Sequence, residues 1–135
     1  MGLWRTYRLR LQRKRWIVRA WRKRRQLRFV HDRTRQIRPD DILLFSTLRN
    51  EVARLPQFLE YYRRLGVGHF LIVDNGSDDG SLEYLDAQSD VSLWRAEGSY
   101  KRARFGVDWL NRLQRRYAHG HWTLVVDPDE LLVYP

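Results

Sequence analysis

The sequence predicts an α/β fold: a mostly parallel sheet with helices on both of its faces. Short apolar runs alternate along the chain with segments of helical periodicity. The runs are apolar at nearly every position rather than at every second one, as strands buried on both faces require. Polar clusters follow three of the runs directly, where such sheets bind ligands.

Charge divides the 135 residues before any element is assigned. Residues 1–38 hold 15 Lys or Arg and one acid, Asp32, a net of +14; residues 39–135 hold 11 cations and 15 acids, a net of −4. The chain therefore reads as a basic N-terminal segment, 1–38, and a mildly acidic body, 39–135. Cysteine is absent, which excludes a disulfide framework, a thiolate metal site and a cysteine nucleophile. No apolar run reaches the roughly 18 residues of a membrane span, and arginines interrupt any signal-peptide-like stretch.

The basic segment, LWRTYRLRLQRKRWIVRAWRKRRQLRFV, lacks Gly and Pro and predicts an amphipathic helix. Leu3, Tyr7 and Leu11 share a stripe, and Trp16, Ile17, Ala20 and Trp21 continue an apolar face, followed by Leu27. Tryptophans on one face and arginines on the rest fit a helix at an anionic membrane surface. A plainer reading is a solvated basic tail that docks on the acidic body or on another subunit. Nucleic acid is the weaker rival, because arginine density alone binds phosphates without sequence preference.

Pro39 to Asp41 punctuate the switch to the body. A buried strand follows at 42–48. Leu55, Phe58, Leu59, Tyr62 and Leu65 then keep helical spacing, with Pro56 suited to a first turn and Gly66 to a stop. A second strand at 69–73 leads to the turn cluster 74–80 and a short helix at Ser81–Ala87. The third strand is 91–94. A helix over about 102–117 carries Gly106, Leu110, Leu113 and Tyr117 on one stripe, and a fourth strand, 121–126, ends at Asp127.

Three strand ends thus bring Thr47, Arg49 and Glu51, then Asp74 and Asn75, then Asp127, Asp129 and Glu130 to one sheet edge. Asp127 and Asp129 are two apart, so an extended backbone points them the same way. Paired carboxylates suit Mg²⁺ or Mn²⁺, whose shell water and substrate phosphates complete. The alternative is a polar turn; the apolar flanks weigh against it, since unpaired carboxylates beside buried strand are costly. Asp74 can accept from a base N–H or a ribose hydroxyl, or form an Asx turn, and Ser77, Asp78 and Asp79 read as turn and capping residues. Lys101, Arg102 and Arg104 sit where cations meet a diphosphate or simply a solvated helix face. No nucleophile elbow, P-loop or dinucleotide glycine fingerprint is present. The His119–His121 pair lies at the wrong sheet edge for the site, and His69 reads as structural.

The motifs LRNE, FLIVDNGSDDGSLEYL and WTLVVDPDELLVYP resemble those of family-2 glycosyltransferases, in the bacterial branch whose first motif reads R-N-E and last D-x-D-E. The resemblance covers about residues 42–135. It implies a GT-A (Rossmann-like) fold, a nucleotide-diphospho-sugar donor, a glycan or lipid-linked acceptor, and Mn²⁺ or Mg²⁺. By position, Thr47, Arg49 and Glu51 match the loop lining the nucleotide, and Asp74 and Asn75 match the pair that contacts the base, with Asn in place of the commoner Asp. Arg104 falls near the family's phosphate-side arginine. Asp127 and Asp129 match the D-x-D, the first near ribose or metal and the second on the metal. Inverting transfer is implied, in a cytoplasmic protein held peripherally at the inner membrane face by its basic segment. The family's general base and acceptor half lie after the D-x-D, so the base is expected beyond Pro135 and the chain is expected to be a donor-binding half.

Overall fold

The computed structural model describes residues 3–104 and 106–133, without the side chains of 3–5, 20, 23 and 24. Helix α1 (Leu3–Arg22) runs through a 3-10 turn (Lys23–Gln26) into β1 (Leu27–His31). Then come β2 (Ile42–Leu48), α2 (Leu55–Arg64), β3 (Val67–Asp74), α3 (Ser81–Asp86), β4 (Val91–Ala96), α4 (Val107–Tyr117) and β5 (Thr123–Val125).

The strand order is β1-β4-β3-β2-β5. Strands β2 to β5 run parallel, with Leu48 beside Asp74 and Phe45 beside Val125. The centre of the sheet is therefore β3, and the carboxyl end of β2 lies between those of β3 and β5. Side chains alternate across each strand. Leu44, Leu48, Phe70 and Ile72 face Leu55, Phe58, Leu59 and Tyr62 of α2 and Leu85 of α3. Leu43, Phe45, Leu71 and Val73 face Trp109, Leu110 and Leu113 of α4. Helices thus cover both faces of a mostly parallel sheet. Each fully buried Leu or Phe contributes about 1.5–3 kcal/mol of transfer free energy.

Three elements differ from the sequence expectation. The basic segment is not helical to its end: Leu27–His31 form an edge strand, antiparallel to β4. Helix α4 begins at Val107 rather than near 102, because Gly106 holds φ +84° and the residues before it turn. Strand β5 pairs only over Thr123–Val125.

Helix α1 packs against α4 as an outer layer. Trp16 and Ile17 line a groove with Asn111 and Gln114. Tyr7 and Leu11 lie instead on the outward side and are 58% and 40% exposed. The two apolar stripes read as one face in the sequence are therefore separate faces of the helix; the side chains of Leu3 and Ala20, which belonged to them, lie outside the described residues. Among the described residues no helix is long and apolar enough to cross a membrane.

Candidate functional site

A cleft of about 580 Å³ opens at the carboxyl edge of the sheet. Thr47, Leu48, Arg49 and Glu51 line it from β2, and Asn75 lines it from β3. Asp127, Pro128 and Asp129 close it beyond β5, and Ser99, Tyr100 and Lys101 reach in from the loop before α4. The three predicted clusters therefore meet in one place.

The loops are held by turn chemistry. Asn75 N–H donates to the Leu48 carbonyl at 2.8 Å, joining the ends of β2 and β3. Asn50, at φ +55°, accepts from Asp78 N–H at 2.9 Å and donates its own N–H to Ser77 Oγ at 2.9 Å. Ser81 Oγ accepts from Glu51 N–H, while Asp79 accepts from Val52 N–H and from Ser81 N–H and Oγ–H. Ser77 and Asp79 thus serve the turn, as the sequence suggested. Hydrogen bonding to Ser81 comes first among the causes holding the Asp79 carboxyl below its usual range.

Asp74 is fully buried. Its Oδ2 accepts from Gly76 N–H and Ser77 N–H, each at 3.1 Å, in an Asx-type turn, while Oδ1 has no partner among the described residues. Thr47 Oγ1, also buried, is likewise unpartnered. A buried, unpaired carboxylate oxygen is costly, so Asp74 and Thr47 retain hydrogen-bonding capacity that nothing within the fold uses. Gly106 explains how α4 comes so close: a Cβ there would sit 2.9 Å from Thr47 Oγ1.

The acids after β5 form a tight turn over 127–130, the alternative the sequence disfavoured, rather than an extended segment that points Asp127 and Asp129 the same way. Glu130 N–H donates to the Asp127 carbonyl at 3.0 Å, and Glu130 Oε2 accepts from Asp127 N–H at 3.3 Å. Glu130 therefore braces the turn. Partial burial, then the charges of Glu130 and Asp129, push the Asp127 carboxyl above its usual range. Burial and the Asp127 charge push the Tyr100 phenol up, which places the two groups within each other's field. Neither Asp127 nor Asp129 makes an ion pair among the described residues, and Arg49 and Lys101 are likewise without one.

Among the predicted site residues, Asp74 is buried and does not line the cleft, and Arg104 lies elsewhere. Its guanidinium donates to Asp108 at 2.7 Å through Nε, with Nη2 at 2.6 Å, and its Cζ lies 5.5 Å from the Trp16 ring centroid. It is committed to packing α1 on α4, and of Lys101, Arg102 and Arg104 the one that lines the cleft, with Arg49, is Lys101. His121 Nδ1–H donates to the Asp41 carbonyl, and His69 Nε2 meets buried Ser92 Oγ at 2.8 Å; both are structural. Sequence reasoning missed the anchor of the acidic turn. Tyr62 O–H donates to the Glu130 carbonyl at 2.9 Å and accepts from Leu132 N–H at 3.1 Å, and Tyr61 O–H donates to the Leu132 carbonyl. The adjacent tyrosines on α2 were the signal: only one needs to serve the core, and the polar ends of both needed partners.

The chain is 29% identical over 98 residues to a protein described as glycosyltransferase family 92, from rice (Oryza sativa subsp. japonica). This is distant, partial similarity to a glycosyltransferase. The match covers 67% of this chain, and the chain spans 16% of the rice protein's length. The family named there is 92, not the family 2 that the motifs resemble. No protein-family model matches the chain, and no solved structure matches it.

Proposed function

We propose that this chain binds the nucleotide-diphospho-sugar donor of a metal-dependent glycosyltransferase of the family-2 kind. The observation that carries the reading is the meeting of three strand-end clusters in one cleft, with Asp127 and Asp129 on one wall and Arg49 and Lys101 among the other lining residues. Asn75 would meet the base or ribose, while buried Asp74 shapes the turn that follows it by accepting from Gly76 and Ser77 N–H. Arg49 and Lys101 would meet the diphosphate.

The residues present fit Mg²⁺ or Mn²⁺. Asp127 carries the cost of nearby acids without a compensating cation. No group of three or more acidic or histidine side chains is gathered to hold an ion alone, among the described residues. Two carboxylates open to solvent and substrate phosphates suit Mg²⁺ chemistry. When bound, such an ion supplies charge neutralisation for a departing nucleoside diphosphate. The chain's own part is to orient the donor and hold its phosphates while an acceptor hydroxyl attacks the anomeric carbon.

The test is calorimetric titration of UDP and of GDP, with and without Mn²⁺, repeated on Asp129→Ala. Metal should tighten binding about tenfold or more, and the variant should lose that gain. Metal-independent or absent binding by a folded chain overturns the reading.

A further inference from the structure

The outward face of α1 is an interaction surface that the proposed chemistry does not use. Tyr7, Leu11 and Val18 recur at helical spacing and are 58%, 40% and 49% exposed. They are turned roughly 160° around the helix from Trp16, which faces α4. The helix therefore meets α4 on one side, where Trp16 is still 54% exposed, and carries on the other an apolar stripe that no described residue of the body covers. Trp21, 52% exposed, lies at the edge of the outer stripe.

Charge indicates what covers it. Arg5, Arg8, Arg10, Arg13, Lys14, Arg15, Arg19 and Arg22 lie within α1, which holds no acid. Beside the stripe, Leu11, Val18, Lys14, Arg15, Arg19 and Arg22 line a shallow groove of about 540 Å³. Long cationic side chains bordering an apolar strip can lay their stems along hydrocarbon and keep their heads among phosphates. Nucleic acid would use the cations and leave Leu11 and Val18 in water. A neutral protein groove would use the apolar stripe and leave the arginines unmatched.

We propose that the outer face of α1 docks on an anionic lipid surface, with Tyr7, Leu11 and Val18 entering the headgroup boundary and Lys14, Arg15 and Arg22 meeting lipid phosphates. Docking on the body through Trp16, Ile17 and Arg19 fixes which face is offered. Both surfaces of the helix are then used at once.

The experiment is flotation of the full chain with phosphatidylcholine vesicles and with mixed phosphatidylcholine–phosphatidylglycerol vesicles at about 0.15 M salt. Binding is expected to the mixed vesicles only. The double variant Leu11→Ser/Val18→Ser leaves every charge in place, and it should weaken partitioning about tenfold or more. Arg15→Gln/Arg22→Gln should weaken it by a similar factor and flatten its salt dependence. Both pairs are exposed, and far-UV circular dichroism with a thermal melt checks that each variant is folded. Two results overturn the proposal: serine variants that bind as the parent does, or a chain that ignores the mixed vesicles and binds single-stranded or duplex nucleic acid.

Discussion

Arg19 and Asp108 stand 89 positions apart in the chain, yet Arg19 Nε donates to Asp108 Oδ2 at 3.1 Å. Asp108 is fully buried and also receives Arg104, while Arg19 Nη2 donates to the Arg102 carbonyl at 2.8 Å. The basic helix thereby grips the loop that carries Ser99, Tyr100 and Lys101 into the cleft. Removing the buried carboxylate takes away the shared partner of two partly exposed guanidinium groups, so Asp108→Ala should destabilise the chain by about 1–3 kcal/mol. A melting temperature lowered by roughly 5 °C or more, with faster tryptic cleavage after Lys101 and Arg102, checks both the energy and the grip.

Cleft cations and the ion-paired Arg104 should separate cleanly. Arg49→Ala and Lys101→Ala should each weaken UDP binding about tenfold, the worth of a charge-assisted contact to phosphate, with little change in stability. Arg104→Ala should lower the melting temperature and leave nucleotide affinity within about twofold. Paired calorimetry and thermal denaturation read both quantities.

Gly106 is tested by the smallest possible side chain. Its φ is +84°, and an added Cβ would press on Thr47 at 2.9–3.1 Å. Gly106→Ala should cost about 1–3 kcal/mol, measured by denaturant melts. A two-residue pair of Gly106→Ala with Thr47→Ser, which removes the Thr47 methyl, should recover part of that loss.

Acid lability follows from two groups. Burial, foremost among its causes, depresses the His69 pKa. The unfolded chain then binds the proton more readily, so stability falls as pH drops below about 6.5, the ordinary histidine value, and through the depressed folded value. Asp90 is pushed up by burial, but hydrogen bonds and charge from Arg63 leave its carboxyl below the usual range. Its contribution holds above about 3.9, the unfolded value, and is lost as pH falls through the folded one. Thermal melts across this range should show two successive declines, and His69→Gln should flatten the first.

The acidic turn depends on one hydroxyl. Tyr62→Phe leaves the Glu130 carbonyl and Leu132 N–H without their partner and should cost about 1 kcal/mol. Metal-dependent nucleotide binding should weaken as well, because Asp127 and Asp129 are then less well fixed. Hydrogen exchange at Leu132 N–H reports the local opening directly.

Most of the architecture was written locally. The run 42–48 is apolar at nearly every position because it is an interior strand, covered on both faces, and its predicted limits match Ile42–Leu48. The helix with Pro56 near its start and Gly66 after its end also matched closely. Strand β1 was not legible, because Leu27–His31 ends an arginine-rich stretch with no Gly or Pro to break the helical pattern. Its state is set by pairing with β4, more than sixty residues later. The cleft was readable wherever residues follow strand ends. Arg104 was singled out from Lys101 and Arg102 by the family resemblance alone; the i,i+4 spacing to Asp108 was the local cue to an ion pair. Glu130 and Tyr62 act through backbone groups, which side-chain patterns do not announce.

The grip of α1 on α4 also sets a timetable. The amphipathic helix leaves the ribosome early, and the helix that covers its inner face follows about a hundred residues later. At about 5–20 residues per second, the interval is roughly 5 to 20 seconds. During it, Trp16 and Ile17 are as uncovered as Leu11 and Val18, and the nascent chain presents a cationic helix that is apolar on two sides. Synthesis of α4 ends that period: Asp108 then holds Arg19, and the helix keeps one orientation on the body.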